Sequence, residues 1–322
     1  MKKIKVNKIK KIVDLIKNNN SFFITAHMNL EGDALGSELA LYLLLKKLNK
    51  KAIIYNNDPT PEIYKFLPSH KSIKNDFKKG KFDIAFVLDC SDSSRAGKIE
   101  NKLSAAAKVV NIDHHISNTH FGDINWVEAE MSSASEMIYY LVKNLKAMDK
   151  DIALCLYTGI FTDSGSFTYA NTSFNTHKVI AELMRYDICP DLVYKKVHSL
   201  CVPGDIQFIG KCISKLKFCL QEKICWITIS QWQEKNYDLT EIIFSIMRLL
   251  KNPEVFILFK KINKNKTRIN FRSSSHVDVN KIAKFFGGGG HRRASGTTLD
   301  QSLKESEKKV IRFIQRRIDG KK

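Results

Sequence analysis

A chain of 322 residues, of which 43% are hydrophobic and 27% charged, is long enough for two domains that each bury a core without disulfides. It lacks the run of about 18 apolar residues that a membrane span needs, and its basic N-terminus lacks the apolar core of a secretory signal. We therefore exclude a membrane protein and expect a cytoplasmic one. The seven scattered cysteines form no C-x-x-C pair, which predicts reduced thiols. The formal charge of +20 favours a polyanionic partner, but a general bias toward Lys explains it equally well.

Residues 21 to 170 alternate short apolar runs with helical patterns, which is typical of an α/β domain with a mainly parallel sheet. Apolar residues recur at helical spacing in three segments, and we predict an amphipathic helix for each. The predicted strands are Phe22–Thr25, Ala52–Tyr55, Asp83–Leu88 and Lys108–Ile112, and the predicted helices are Leu35–Leu48, Ser133–Leu145 and Ile152–Phe161.

A polar stretch, 171–176, leads into a helical region that we expect to end near Pro203-Gly204. We divide the chain there into an N-terminal domain (residues 1–190), a linker (191–203) and a smaller α+β C-terminal domain (204–322). An antiparallel sheet is expected in the second domain because its first two strands follow each other too closely for a crossover. Its predicted strands are Lys215–Leu220, Ile224–Ser230, Glu254–Lys260 and Thr267–Arg272, and its predicted helices are Glu241–Leu250, Val279–Phe286 and Ser302–Ile318.

Side chains that can bind metal follow three predicted strands of the first domain. His27 follows the first, Asp89 the third, and Asp113-His114-His115 the fourth. Each has a milder explanation when taken alone, since an Asp after a strand is usually a turn former or a helix cap and a lone His a packing residue. In an open α/β sheet, however, the carboxyl ends of the strands meet at one edge, so these residues are expected to share a cleft. Further carboxylates that could face it are Glu31, Asp33 and Asp163.

Several carboxylates and imidazoles in one cleft would repel one another, or stay poorly solvated, without a cation between them. Mixed oxygen and imidazole ligation suits Mn²⁺, with Mg²⁺, Co²⁺ or Zn²⁺ less favoured. The absence of cysteine from the set argues against a structural zinc site. The sequence therefore predicts a divalent-metal site in the first domain.

Four motifs, in this order, resemble motifs I to IV of the DHH phosphoesterase superfamily, and a fifth resembles its DHH-associated C-terminal domain. They are AHMNLEGDALGS, VLDCSDSSRAG, NIDHHISN and GIFTDSGSFTYANTS, followed by RSSSHVDVNKIAKFFGGGGHRRASG. The resemblance spans residues 21 to 300 and implies an α/β DHH domain with a mainly parallel sheet, a smaller α+β domain, and an active site in the cleft between them. The most similar subgroup acts on compact substrates: nanoRNases, 3′,5′-bisphosphate (pAp) phosphatases, and phosphodiesterases of cyclic di-AMP or its linear product pApA.

The resemblance implies two Mn²⁺ ions, with Asp89 bridging both. Two ions about 3.5–4 Å apart acidify a bridging water and stabilise charge on the phosphoryl oxygens. His115 would face the substrate and donate a hydrogen bond or a proton toward the phosphate or the leaving oxygen, while Asp113 would orient a histidine. The first ion's ligands would be His27, Glu31 and Asp89, and the second ion's would be Asp33, Asp89, His114 and Asp163.

One position departs from the superfamily pattern, which usually has Asp-x-Asp after a proline. This chain reads Leu30-Glu31-Gly32-Asp33. Glu is a competent oxygen ligand but is one methylene longer, which changes the geometry that the first metal site requires. Because the rest of the motif is intact, we predict that Glu31 still binds metal.

Arginines and glycines supply the candidate substrate contacts. Arg95 matches an arginine of motif II and is expected to contact a phosphate, with a surface ion pair as an equal alternative. Arg272 could hold a terminal phosphate in a bidentate contact, with a surface cation as an equal alternative. The run Gly287–Gly290 is unsuited to a helix interior, and its backbone is expected to approach a phosphate or a base, with a flexible loop as the alternative. The candidate substrate-binding residues are Arg272, Gly288, Gly289, Gly290 and His291, and the candidate catalytic residues are His115, Asp89 and Arg95.

We therefore expect an enzyme that cleaves pApA, cyclic di-AMP or oligoribonucleotides of a few residues to nucleoside 5′-monophosphates. The alternative within this class is a pAp phosphatase. A RecJ-type processive exonuclease is disfavoured because no extra domain offers a long groove with stacking aromatics, and a pyrophosphatase is disfavoured by the GGGGH segment. The competing class is a protein that binds cyclic dinucleotides or RNA without cleaving them. No membrane or preferred long nucleic acid is expected as a partner, and a homodimer is expected from the family alone.

Overall fold

The computed structural model describes residues 6–77, 80–199, 201–232, 239–290 and 292–319. The chain divides into two units, Met1–Ser199 and Leu200–Lys322, each with a six-stranded sheet. Within the described ranges, none of the helices combines the length and the apolarity needed to cross a membrane. All seven cysteines lie in those ranges and all are free thiols.

The sheet of the first unit is built from short apolar strands. They are β1 Ser21–Ala26, β2 Lys51–Tyr55, β3 Ile73–Lys74, β4 Phe82–Leu88, β5 Ala106–Asp113 and β6 Ile124–Val127. The strand order is β3-β2-β1-β4-β5-β6, and every neighbouring pair is parallel. Strands β1 and β4 are buried along most of their length because this sheet is covered on both faces.

The two faces of this sheet pack against different layers. Phe22 and Ile24 of β1 lie in the core under the helices, whereas Phe23 lies in the core under the 3-10 helical segment Ser93–Ala105. This alternation follows from the two-residue period of a strand. The helices are α1 Val6–Asn18, α2 Gly32–Lys47, α3 Ala134–Asn144, α4 Lys150–Asp163, α5 Phe174–Met184 and α6 Pro190–His198.

The strands and helices predicted for this unit are present, with ends shifted by up to three residues. Strands β3 and β6 are missing from the sequence prediction because they are only two and four residues long. The range 191–203, predicted as a linker, is largely occupied by α6. Pro190 stands in the first turn of that helix, and Val193 and Val197, one turn apart, are buried.

The sheet of the second unit is mixed. Its strands are β7 Lys217–Cys219, β8 Ile224–Ile229, β9 Val255–Asn263, β10 Lys266–Ser273, β11 Gly289–Gly290 and β12 Ala294–Leu299, in the order β11-β12-β10-β9-β8-β7. The predicted antiparallel pairing is right for β7 with β8 but wrong for β8 with β9, which are parallel. The segment between these two strands contains the helix Leu239–Met247 and is long enough for a crossover.

Helices cover both faces of this second sheet. They are α7 Pro203–Ile213, α8 Leu239–Met247, α9 Val279–Phe285 and α10 Leu303–Asp319. Helices α7 and α8 pack over one face, and α9 and α10 pack over the other. The helical region predicted to end near Pro203-Gly204 ends with α6 at His198, and Pro203 begins α7, because proline is favoured in the first turn of a helix. The predicted class, an α/β unit with a mainly parallel sheet followed by a smaller α+β unit, is confirmed.

Helices α2 and α4 approach each other closely through glycines. A Cβ atom on Gly36 would lie 2.5 Å from the backbone oxygen of Cys155 and 3.1 Å from the Cα of Gly159, both on α4. A Cβ on Gly32 would lie 2.3 Å from Thr162 Oγ1. The absence of side chains at these positions therefore brings the start of α2 next to the end of α4.

We expect Gly36→Ala to lower the free energy of unfolding by about 1–3 kcal/mol, because the new methyl group must displace the backbone of α4. Urea unfolding followed by circular dichroism measures this change. The control is Gly210→Ala in α7, whose Cβ would meet no atom within 4 Å and which should keep or slightly raise stability. Equal stability of the two variants would contradict the close approach of α2 and α4.

Candidate metal centre

Three neighbouring strands of the first sheet deliver polar residues to one edge. Strands β1, β4 and β5 are adjacent and parallel, so their carboxyl ends lie side by side. His27 follows β1, Asp89 follows β4, and Asp113 ends β5 just before His114 and His115. The strand order thus gathers residues that are far apart in the sequence.

Two helix termini add carboxylates to this edge. Glu31 immediately precedes α2, Asp33 lies in the first turn of α2, and Asp163 is the last residue of α4. Asp33 also accepts hydrogen bonds from the backbone N–H groups of Ala134 (2.7 Å) and Ser135 (2.8 Å), at the N-terminus of α3. These bonds fix the direction of its carboxylate and stabilise the charged form.

The structure brings all six predicted metal ligands together. His114 Nε2 lies 3.4 Å from Asp89 Oδ1 and 3.4 Å from Asp163 Oδ2. His27 Nε2 lies 3.3 Å from Asp89 Oδ2 and 3.6 Å from Glu31 Oε1. In the described part of the chain, three groups have ligand atoms that all lie within 4.8 Å of one another: His27 with Glu31 and Asp89, Asp33 with His114 and Asp163, and Asp89 with His114 and His115.

Hydrogen bonds from the opposite ring nitrogens orient the first two histidines. His27 Nδ1 lies 2.6 Å from the backbone oxygen of Met28, and His114 Nδ1 lies 3.3 Å from that of Met131. A neutral ring that donates from Nδ1 presents an unprotonated Nε2, which is the form that binds a metal. Both Nε2 atoms consequently face the carboxylates of the cluster.

His115 is held differently, by Asp113. Its Nδ1 lies 2.7 Å from Asp113 Oδ1, and the other oxygen of that carboxylate accepts a 2.6 Å hydrogen bond from Asn118 Nδ2. Both His115 and Asp113 are buried. Asp113 thus contacts His115 and can orient its ring, as the family resemblance implies. Among the described residues, Asp113 belongs to none of the three groups that could hold a metal ion.

The donor set fits a divalent cation. Among the described residues, the buried atoms His27 Nε2 and Asp89 Oδ1 have no hydrogen-bond partner, which is unfavourable for polar atoms. Burial and the nearby Asp89 charge raise the pKa of Asp33 to about 6. Burial would also raise the pKa of Asp89, but the facing imidazoles hold it well below its usual range. A cation in this cluster would satisfy the unpaired atoms and offset the repulsion between the carboxylates.

Left-handed backbone conformations occur beside the cluster. Asp89 has φ 51°, and Ser166 and Phe167, shortly after Asp163, have φ 57° and 67°. Such conformations cost about 1–3 kcal/mol each in non-glycine residues and persist where surrounding contacts impose them. Here Ser166 Oγ lies 2.9 Å from His198 Nε2, and other hydrogen bonds close the turn.

The candidate substrate contact Arg95 lies next to this centre. Its backbone oxygen accepts a 2.7 Å hydrogen bond from the N–H of Met28, the neighbour of His27. Its guanidinium donates to Ser91 Oγ at 3.4 Å, and the side chain is half-buried. Arg95 is therefore tied to the segments that carry His27 and Asp89.

The candidate contacts in the second unit form a separate set. Arg272 pairs with Glu241 and lies over the ring of Phe244, with its Cζ 4.9 Å from the ring centre. Gly288 follows α9, while Gly289 and Gly290 form the exposed strand β11. His291 lies outside the described residues.

The sequence analysis missed residues that support the ligands from behind. Asn118 belongs to the quoted motif NIDHHISN, but nothing in the pattern indicates its contact with Asp113. Asn56 receives a 3.4 Å hydrogen bond from the N–H of Ala26, beside His27, and donates to Glu38 at 2.8 Å. Burial raises the pKa of Glu38 to about 8. The sequence signal for Glu38 was a glutamate within the largely apolar predicted helix Leu35–Leu48.

Comparisons with known proteins agree with this geometry. The family model described as "DHH family, N-terminal domain" matches residues 21–160, and the DHHA1 domain model matches residues 224–320. The bifunctional oligoribonuclease and PAP phosphatase NrnA of Thermus thermophilus is 27% identical over 91% of this chain and 89% of its own. The protein of the same name from Bacillus subtilis is 26% identical over 87% of this chain and 90% of its own.

A solved structure has the same fold along nearly the whole chain. The crystal structure of an exopolyphosphatase-related protein from Bacteroides fragilis has a TM-score of 0.88 and 25% sequence identity. The match covers 97% of this chain and 96% of that one. The two-unit architecture is therefore shared with a protein whose structure was determined by crystallography.

We expect Glu31→Ala to reduce the amount of Mn²⁺ bound per chain and the turnover. The Glu31 carboxylate lies 3.6 Å from His27 Nε2, and its side chain is 58% exposed, so truncation removes a ligand without disturbing the core. Glu31→Asp, which restores the usual residue of the superfamily, is the control and should retain metal. Titration calorimetry and metal analysis of the purified variants measure this. Unchanged metal content and turnover in Glu31→Ala would refute the assignment of Glu31 as a ligand.

Metal affinity should rise with pH between about 6 and 9 and binding should release protons. Burial alone lowers the pKa of His27, but Asp89 and Glu31 outweigh it and raise the pKa to about 9. The pKa of His114 is also raised well above its usual range, since Asp89 and Asp163 outweigh its burial. A proton must leave each ring before a metal binds. Calorimetry in buffers of different ionisation enthalpy counts the released protons, and His27→Gln should release fewer. An affinity that does not change with pH would contradict this prediction.

Proposed function

We propose that this chain, which belongs to the DHH family, is a metal-dependent phosphodiesterase that hydrolyses short nucleotides to nucleoside 5′-monophosphates. The proposed substrates are pApA, cyclic di-AMP and oligoribonucleotides of a few residues. The observation that carries the proposal is the cluster of carboxylates and imidazoles at the ends of β1, β4 and β5, with its unpaired buried atoms. The names of the relatives support the same chemistry, since oligoribonucleases cleave phosphodiester bonds.

Two Mn²⁺ ions are the proposed cofactors, with Mg²⁺ or Co²⁺ as substitutes. When bound, such a pair supplies an acidified water and positive charge at the phosphoryl oxygens. Asp89 has one carboxylate oxygen beside His27 and the other beside His114, which supports a bridging role. The remaining proposed ligands are His27 and Glu31 for one ion and Asp33, His114 and Asp163 for the other.

His115 and Arg95 are the proposed catalytic residues besides the ligands. Asp113 accepts a hydrogen bond from His115 Nδ1 and fixes the orientation of the ring, so that His115 would donate a hydrogen bond or a proton toward the phosphate or the leaving oxygen. Arg95 is anchored to the segments that carry the ligands and would contribute its charge to binding a phosphate oxygen.

The second unit is proposed to bind the part of the substrate distant from the scissile phosphate. Arg272 supplies positive charge, and the exposed backbone of Gly289 and Gly290 offers groups that a ligand can approach closely. Gly288 and His291 complete this set by resemblance to the family. A substrate that is bound at its far end in this way would be short. A long single strand is therefore disfavoured as a substrate.

Removal of the 3′-phosphate from pAp is the second candidate activity. It is favoured by one observation, that the relatives from Thermus thermophilus and Bacillus subtilis are named PAP phosphatases as well as oligoribonucleases. The same metal centre serves both reactions because each displaces an oxygen from a phosphoryl group. A cytoplasmic location, expected from the sequence, and a homodimer, expected from the family resemblance alone, also belong to the proposal.

Rates measured with Mn²⁺ on cyclic di-AMP, pApA, pAp, a short RNA and a long single strand test this function. We expect the short nucleotides to be cleaved fastest and Asp89→Asn and Asp163→Asn to lose nearly all activity, because each removes a carboxylate that would hold a metal ion. The matched control is Asp151→Asn, an exposed carboxylate at the opposite end of the helix that carries Asp163. Preference for the long strand would overturn the substrate class, and full activity of the Asp89 variant would overturn the metal mechanism.

A further inference from the structure

The backbone that carries His27 and Glu31 lies between two regular elements. This ligand segment, residues 27–31, follows the end of β1 at Ala26 and precedes the start of α2 at Gly32. Asn29, in its middle, has a left-handed φ of 62°, so the chain turns sharply there. Backbone N–H groups in and beside such a turn need hydrogen-bond partners from elsewhere in the chain. Those partners determine how the two proposed ligands are placed.

The connection that follows β2 supplies these partners. We call residues 56–64 the β2 connection. Three of its side chains hydrogen-bond to the backbone in and around the ligand segment, at intervals of three residues along that backbone. The pairs are Asn56 Oδ1 with the N–H of Ala26 (3.4 Å), Asp58 Oδ2 with the N–H of Asn29 (2.6 Å), and the Tyr64 hydroxyl with the backbone of Gly32. The ligand segment is thus held at both ends and in the middle.

Asp58, which holds the middle, is itself fixed on several sides. While its Oδ2 accepts from Asn29, its Oδ1 accepts a 2.6 Å hydrogen bond from Asn57 Nδ2. Its backbone oxygen accepts a 2.5 Å hydrogen bond from Asn75 Nδ2, and Pro59 follows with a restricted φ. Hydrogen bonds that a carboxylate accepts are shorter and stronger than those between neutral groups. Asp58 therefore presents its oxygen to Asn29 in a defined position.

The β2 connection also contacts the segment that carries Arg95. Asn57 Oδ1 accepts a 3.1 Å hydrogen bond from the N–H of Lys98. Gly97 has φ 62°, and a Cβ atom on it would lie 2.7 Å from Asn57 Oδ1 and 2.7 Å from Met28 Sδ. The absence of a side chain at Gly97 therefore lets the β2 connection, the ligand segment and the Arg95 segment meet at one point.

We propose that Asp58 is a positioning residue for the first metal ion. It holds the backbone at Asn29, midway between His27 and Glu31, and so determines the separation of these two ligands. Glu31 is one methylene longer than the usual Asp and its side chain is 58% exposed, so the placement of its backbone decides whether its carboxylate reaches the ion. This inference rests on the proposed two-ion function.

The proposed ligands of the second ion are held by other contacts. Asp33 accepts its hydrogen bonds from the N-terminus of α3. His114 follows β5, and Asp163 ends α4. Among the described residues, Asp58 belongs to none of the groups that could hold a metal ion, so its effect on the first ion is exerted through the ligand segment. Loss of Asp58 should consequently affect one ion and spare the other.

Calorimetric titration of the metal-free, full-length protein with Mn²⁺ tests this inference. We expect two ions to bind to the wild type, and Asp58→Ala to weaken one of them about tenfold or more, because loss of a residue that orients metal ligands costs about 10- to 100-fold in affinity. The affinity for the other ion should stay within about threefold. Amide hydrogen exchange at Asn29 in the metal-free protein should become faster, since its N–H loses its acceptor.

The conservative variant separates placement of the backbone from an effect of charge. Asp58→Asn removes the charge but keeps an oxygen that can accept from the N–H of Asn29. It should therefore recover most of the affinity that Asp58→Ala loses. Equal losses in Asp58→Asn and Asp58→Ala would overturn the proposal, because the charge and not the hydrogen bond would then be responsible.

Asp83→Ala is the matched control, since it removes similar contacts from the opposite end of β1. Asp83 Oδ2 accepts 2.9 Å hydrogen bonds from the N–H groups of Asn20 and Ser21. This variant should lower the thermal unfolding midpoint at least as much as Asp58→Ala but leave both Mn²⁺ affinities unchanged. A loss of Mn²⁺ affinity in Asp83→Ala equal to that in Asp58→Ala would show a general loss of stability and overturn the proposal.

A double-mutant cycle identifies the ion that is affected. If Asp58 acts on the separation of His27 and Glu31, then Asp58→Ala should weaken Mn²⁺ binding less in the Glu31→Ala protein than in the wild type. Fully additive effects of the two substitutions would contradict the proposal.

Failure of the proposed function gives a different result. A wild-type protein that binds two Mn²⁺ ions but does not cleave pApA would refute the phosphodiesterase, whereas the effect of Asp58 on Mn²⁺ binding is measured without any substrate. A wild-type protein that cleaves pApA, with an Asp58→Ala variant that binds both ions normally or weakens both equally, would keep the function and overturn the positioning role.

Discussion

Repulsion between buried like charges is the constraint on which the first unit depends. Asp33, Asp89 and Asp163 all lie within 3.9 Å of one imidazole nitrogen, His114 Nε2. The chain relieves part of this repulsion by itself, since the N-terminus of α3 holds the Asp33 carboxylate and the imidazoles face Asp89. Among the described residues, the buried His27 Nε2 and Asp89 Oδ1 still lack a hydrogen-bond partner, and both are atoms that could bind a divalent cation. The side chains whose burial is energetically unfavourable in this unit are thus the ones that its proposed chemistry uses.

The rest of the first unit serves to keep these groups together. Parallel pairing of β1, β4 and β5 fixes the separation of His27, Asp89 and His114, because each follows the end of its strand. The glycine contact of α2 with α4 does the same for the helix-borne carboxylates. Asp33 and Asp163 lie on helices, and the other candidate ligands directly follow a strand or precede a helix, which limits how far they can move apart.

The second unit combines a packed core with an uncrowded polar surface. Its apolar residues alternate toward two helix layers, but on β10 the alternation places Arg268, Asn270 and Arg272 on one face. Gly296 on β12 and Gly289 on β11, which continue the row of Asn270, add no side chain to that face. Among the described residues, the buried Asn270 Oδ1 on this face has no hydrogen-bond partner, which is unfavourable for a polar atom. In the proposed function, the first unit carries out the chemistry and the second unit binds the distal part of the substrate.

Local patterns in the sequence were enough to predict most strands and helices, the α/β class and a group of candidate metal-binding residues, because apolar periodicity and polar residues at strand ends are properties of short segments. The choice of six ligands within that group came from the family resemblance. Pairing of β8 with β9, the support of Asp33 by α3 and of Asp113 by Asn118, and the row that joins Asn270 to Gly289 are visible only in the tertiary structure. Each depends on contacts between distant segments, and the order and register of strands decide these contacts. The sequence supplied the chemical groups, and the packing of the chain decided which of them meet.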